Sequence, residues 1–112
     1  MRRLALLLLV GGLAACGSET GGDAEACEES QAVMTQVREY RELDTLTPDQ
    51  ENDVTQWEFR LAEASVLATD HDLATLIRDQ ADATGNLAEN LDDADALLVL
   101  ETITTEIDLK CE

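Results

Sequence analysis

Positive charge is scarce in this chain. Seven Lys and Arg stand against 25 Asp and Glu, a formal net charge of −18 over 112 residues. A surface of that sign cannot neutralise phosphates, so nucleic acid is excluded as a partner, and anionic headgroups or wall polymers would repel it. Catalytic signatures are missing as well. Beyond residue 16 there is no GxSxG, no HExxH, no CxxC and no glycine-rich phosphate loop, which removes the motifs of serine hydrolases, zinc proteases, thiol oxidoreductases and P-loop enzymes. Paired carboxylates carry no information in so acidic a chain. The expectation is a protein that is not an enzyme and holds no cofactor. A long apolar run is also lacking: Leu4 to Cys16 gives 13 uncharged residues before the chain turns polar and acidic, short of the ~20 that span hydrocarbon.

The amino-terminal residues nonetheless have the three parts of a secretory signal: a charged start at Arg2 and Arg3, an apolar run from Leu4 to Val10, and small residues from Gly11 to Ala15. Ordinary cleavage after Ala15 would put Leu13 where a small residue is wanted. The stretch Leu13-Ala14-Ala15-Cys16 instead resembles the lipobox of bacterial lipoproteins. That resemblance covers residues 1 to 16 only. It implies removal of a signal peptide, residues 1–15, and a diacylglyceryl thioether on Cys16, often with an added acyl chain such as palmitate on the new amino group. Two or more chains hold a protein firmly at a membrane. The expected location is therefore the extracytoplasmic face of the cell membrane, lipid-anchored, with Cys16 and the Gly-, Ser- and acid-rich residues up to 23 as a flexible tether.

Loss of Arg2 and Arg3 leaves five basic residues, Arg38, Arg41, Arg60, Arg78 and Lys110, against 25 acids, a net charge of −20. With Cys16 taken by lipid, Cys27 and Cys111 are an even pair in a compartment where disulfides persist.

From Ala24 onward the pattern is helical. Thr47-Pro48-Asp49-Gln50-Glu51 offers a capping hydroxyl, proline at the first helical position and an amide at the third. Val54, Trp57, Leu61, Ala64 and Ala68 then fall at alternating steps of three and four, as do Leu73, Ile77, Gln80, Thr84, Leu87 and Leu91. Ala96, Leu100, Ile103 and Ile107 mark a further helix capped by Asp92 or Asp93. The first helix is the least regular, with Cys27, Val33, Met34, Val37, Tyr40 and Leu43 on its face. Residues 103–109 alternate like a strand, but a lone strand has no partner, so helix is favoured there. Gly85 could end the third helix early, which would leave unequal lengths. The reading is an all-α, up-down antiparallel four-helix bundle over residues 24–112, with helices near 24–45, 48–68, 70–91 and 93–111. Parity supports it, since Cys27 and Cys111 meet only if the helix count is even. The tether, the disulfide and the Thr69–Asp72 turn then share the membrane-facing end. Trp57 should sit opposite residue 82 or so, packed into the thin stretch Ala81 to Gly85 with Val37 and Ile103; the alternative is a pocket for a small apolar ligand between Trp57, Gln80 and Thr84.

Candidate sites are few. The two distal turns concentrate Asp49, Glu51 and Asp53 with Asp92, Asp93 and Asp95, candidate contacts for a cation or a basic envelope protein. No EF-hand register fits: counted from Asp49, Asp70 or Asp93, the turn glycine is missing and the twelfth residue is Arg60, Ala81 or Thr104. Asp70-His71-Asp72 is a candidate metal ligand set, competing with plain helix capping. The function expected is an acidic interaction module near the membrane; the alternative is a binding protein for a cation or small apolar ligand.

Overall fold

The computed structural model describes the backbone from Ala15 and the side chains from Gly22 to Glu112. Residues 1–14 of the expected signal peptide and the side chain of Cys16 lie outside the described residues. Four helices follow: α1 Ala15–Tyr40, α2 Pro48–Leu67, α3 His71–Ala88 and α4 Ala94–Cys111. Among the described residues there is no strand, and no helix is long and apolar enough to cross a membrane.

Helices α2, α3 and α4 begin where their caps dictate. Thr47 and Gln50 form a reciprocal capping box at α2, with Thr47 N–H donating to Gln50 Oε1 at 2.9 Å and Gln50 N–H to Thr47 Oγ1 at 3.2 Å. Asp70 caps α3 by accepting from Leu73 N–H at 2.9 Å, and Asp93 caps α4 by accepting from Ala96 N–H at 3.0 Å. The strand-like residues of α4 are accommodated in the helix, where the hydroxyls of Thr104 and Thr105, like that of Thr102 before them, donate back to the carbonyls of Leu100, Glu101 and Leu98.

Three boundaries differ from the sequence reading. First, α1 starts ahead of Ala24, so residues 16–23, expected as a tether, belong to its opening turns. Asp23 explains the end of this stretch: its carboxylate accepts from Thr69 N–H at 2.7 Å, Thr69 Oγ1 at 3.1 Å and Asp70 N–H at 3.3 Å, clasping the α2–α3 turn. Gly22 permits the approach, since a Cβ there would lie 2.6 Å from Leu67 O. Second, α1 ends at Tyr40 instead of 45. The chain tightens through i→i−3 bonds from Glu42 and Leu43, and Leu43 is left 42 % exposed and off the core face. Third, α3 stops at Ala88 because Asn90 makes a competing local turn, its Oδ1 accepting from Asp92 N–H at 3.1 Å and its carbonyl from Asp93 N–H at 3.0 Å.

The helices form an up-down bundle in which α2 packs on α1 and α3, and α4 packs on α3, while α1 and α4 meet along a sparser seam. Cys27 and Cys111 close that seam as a disulfide with Cα atoms 6.0 Å apart. The core runs through Val33, Met34, Val37, Trp57, Leu61, Ile77, Leu87, Leu100 and Ile107. Each such side chain contributes about 1.5–3 kcal/mol by leaving water. Trp57 is fully buried, its Nε1–H donating to Gln36 Oε1 at 2.8 Å and its ring lying 5.7 Å from that of Tyr40. The facing stretch of α3 is thin as expected: Ala81, Ala83 and Thr84 are buried, and at Gly85 the Glu58 carboxylate occupies the space a Cβ would need. Val37 is buried, whereas Ile103 is only partly so.

A chain of buried polar groups crosses the interior. Ser30 Oγ donates to Gln80 Oε1 at 2.9 Å, Gln80 Nε2 donates to Thr104 Oγ1 at 3.1 Å, and Thr104 donates onward to Leu100 O. Each of the three side chains is buried. Three helices are thereby set at one height, because sliding any of them by a turn would strand these groups unpaired.

Candidate functional site

The distal end is built from two turns, one following α1 and one joining α3 to α4. Arg41 staples them, its Nε–H donating to Leu91 O at 2.7 Å. The five distal aspartates then divide. Asp93 is committed to capping α4. Asp53 is half-buried and accepts from the Tyr40 hydroxyl at 2.5 Å. That hydrogen bond, with burial and the Asp53 charge behind it, pushes the Tyr40 phenol up to about 12. Asp49, Asp92 and Asp95 remain as exposed carboxylates.

The proximal end holds the second candidate set, and it is likewise occupied with structure. Asp70 caps α3, Asp72 faces Lys110 Nζ at 3.4 Å, and His71 is exposed at the first position of α3. Among the described residues, no three His, Cys, Asp or Glu side chains are placed to share a metal ion. Neither Asp70-His71-Asp72 nor the distal aspartates are brought together as a ligand set. The apolar-ligand reading also finds its space filled. Trp57, Gln80 and Thr84 are all fully buried, Gln80 is engaged at both ends, and the Thr84 hydroxyl donates to Gln80 O at 2.7 Å.

What the arrangement does provide is an asymmetry of charge. Every basic residue beyond Cys16 is used to join one part of the bundle to another. Arg60 grips Glu29 with two bonds of 2.7 and 2.9 Å across α2 and α1, and Arg38 grips Glu101 at 2.8 and 3.1 Å across α1 and α4. Arg78 Nε–H donates to Ser65 Oγ at 3.3 Å across α3 and α2, and Lys110 and Arg41 make the links already described. Hydrogen bonding to these guanidinium groups holds the Glu29 and Glu101 carboxyls below the usual carboxylate range. Backbone donors of Thr69 and Asp70 do the same for Asp23. Most of the remaining acids among the described residues are exposed to water, with Asp53 and Asp108 standing near Arg60 and Arg38. A groove of about 450 Å³ between α1 and α2 shows the result, with Glu25, Glu28 and Glu63 on its walls and Arg60 turned to Glu29.

Sequence reasoning missed Ser30 and Thr104 as core positions and Asp23 as a clasp. Ser30 falls three residues after Cys27 and three before Val33, so the face spacing could have found it; Asp23 carries no comparable signal, since its partners are 46 and 47 residues away. Compared with protein-family models, with curated proteins and with solved structures, the chain matches none.

Proposed function

We propose that this chain is a lipid-anchored lipoprotein of the extracytoplasmic face whose acidic bundle engages a basic face of another envelope protein. The observation that carries the reading is the engagement of all five cations in links within the bundle. They leave the acid surplus uncompensated, and a surface of one sign steers an oppositely charged partner and fixes its approach. The distal turns are the contact, with Asp49, Asp92 and Asp95 as its free carboxylates. Asp23 clasps the α2–α3 turn and the disulfide lies at the same end, so a chain tethered through Cys16 presents the opposite turns outward. The disulfide itself fits an oxidising compartment, and the lipobox resemblance supplies the anchor.

Two experiments test this on the full chain in its own membrane. Cys16→Ser should release the protein from the membrane fraction; unchanged membrane retention would remove the anchor from the proposal. Asp49→Lys, Asp92→Lys and Asp95→Lys together should abolish copurification of a basic membrane protein that is lost in high salt. Asp93 is left intact because it caps α4. Unaltered copurification in the triple variant would refute the distal contact.

A further inference from the structure

Helix α2 carries two seams. The inner one, Val54, Trp57, Leu61 and Ala64, is buried in the core. On the opposite side, rotated by about 160° at 100° per residue, Asn52, Thr55, Phe59, Ala62 and Val66 repeat the same three-and-four spacing without a single charge. Among the described residues nothing covers the two large side chains of this outer seam: Phe59 is 59 % exposed, Val66 76 % and the adjoining Leu67 48 %, while the small Ala62 is half-buried. Phe59 is the chain's one phenylalanine, and an exposed aromatic with aliphatic neighbours a turn or two away is the composition of an interface anchor. The outer face of α4 also exposes Leu98, Val99 and Leu109, but the first two are neighbours at one end and Leu109 stands eleven residues from Leu98 with Thr102 and Thr105 between them, so no seam with an aromatic anchor forms.

Charge decides what can lie on the α2 seam. The positions bordering a helical seam select its partner by sign. Here they are Glu51 and Glu58 on one side and Glu63 on the other, with Gln56 neutral and no basic residue among them. The acidic α1–α2 groove, which Glu63 and Leu67 also line, extends the same sign beside the proximal half. Two copies of this chain would set like charges against each other along the whole seam, and an anionic bilayer would be repelled in the same way. A helix with apolar seam residues and Lys or Arg at its borders meets both requirements at once.

We propose that the outer face of α2, with Phe59 and Val66 as anchors, docks a basic amphipathic helix of another envelope protein. This rests on the reading of the chain as an acidic interaction module, and adds the surface used and the form of the partner. The distal turns then steer the partner while α2 holds it.

The test uses the full chain in detergent micelles and a synthetic probe helix of about three heptads with Leu in its seam and Lys at its borders, beside a control probe with Glu at the borders. The Lys-bordered probe should bind and the Glu-bordered one should not. Phe59→Glu with Val66→Glu should weaken binding at least about tenfold, while Leu98→Glu leaves it unchanged. Glu58→Lys with Glu63→Lys should transfer the preference to the Glu-bordered probe, a gain of binding that misfolding cannot mimic. Equal binding after the Phe59 and Val66 changes would overturn the proposal. So would self-association, or binding to anionic vesicles, that depends on Phe59. If the triple distal reversal weakens the probe and the α2 changes do not, the acidic module stands and its α2 seat falls; if neither matters, both fall.

Discussion

Replacing Cys27 and Cys111 together by alanine should remove about 4.5 kcal/mol of stability. The bond joins residues 84 apart, and in the chain-entropy model a loop of that length, opened in the unfolded ensemble, is worth about 4 to 5 kcal/mol at 25 °C. A domain of roughly 90 residues holds only about 5 to 13 kcal/mol in all. The native side offers little to offset the loss, because the cross-link lies on the sparser α1–α4 seam. The other direct tie across that seam is the Arg38–Glu101 pair, whose side chains are 51 % and 36 % exposed; such pairs contribute at most about 1 kcal/mol. With a urea slope near 1 kcal/mol/M, the midpoint should fall by roughly 4 M, and Tm by roughly 20 to 35 °C. Urea unfolding followed by fluorescence of Trp57, the chain's one tryptophan, and by far-UV circular dichroism would measure it. Coincident curves are needed for the number to be a two-state free energy. A loss below about 1.5 kcal/mol would refute the reasoning, meaning that the reduced unfolded chain keeps its ends together without the bond.

Four further outcomes follow from the geometry. Gln80→Leu should destabilise by about 1–3 kcal/mol by leaving the Ser30 hydroxyl without its acceptor and Thr104 Oγ1 without its donor, and adding Ser30→Ala and Thr104→Val should recover most of it in thermal melts. The two close glycines should respond oppositely: Gly85→Ala gains about 0.5–1 kcal/mol because only the mobile Glu58 carboxylate must move, whereas Gly22→Ala meets the Leu67 carbonyl and destabilises. The one tyrosine should titrate near 12 in the folded protein and lower in Asp53→Asn, where only burial and Glu39 still raise it, by ultraviolet absorbance. Its folded value is raised, so its contribution to stability is complete below pH ~10 and is lost as pH climbs toward 12. The Asp23, Glu29 and Glu101 carboxyls are displaced downward, so their contribution is complete at neutral pH and is lost as pH falls below ~4. Urea midpoints that hold steady through that acid range in the wild type would contradict it.

Periodicity and capping made the bundle readable. Thr47-Pro48 and the aspartates at 70 and 93 start helices where they should because a cap is a local interaction among three or four consecutive residues. The disulfide was readable because antiparallel geometry and cysteine number constrain each other. What escaped were the non-local polar contacts. Nothing in Gly21-Gly22-Asp23 signals a clasp on Thr69, and although face spacing points Ser30 inward, nothing local to Ser30 or Thr104 names Gln80 as the partner. The candidate metal and cation residues were legible as acids, but capping uses Asp70 and Asp93 first, and Tyr40 takes Asp53. The outer seam of α2 shows the converse: its spacing was present in the sequence, yet only the packing reveals which of two seams faces inward.

The bond between Cys27 and Cys111 turns four helices into a covalent ring. A single protease cut in any of the three connecting turns therefore opens the ring without releasing a fragment, and the severed pieces stay paired until a reductant arrives. The same closure lets the polypeptide be re-started at a distal turn, with the old ends bridged, while the arrangement of helices in space is preserved.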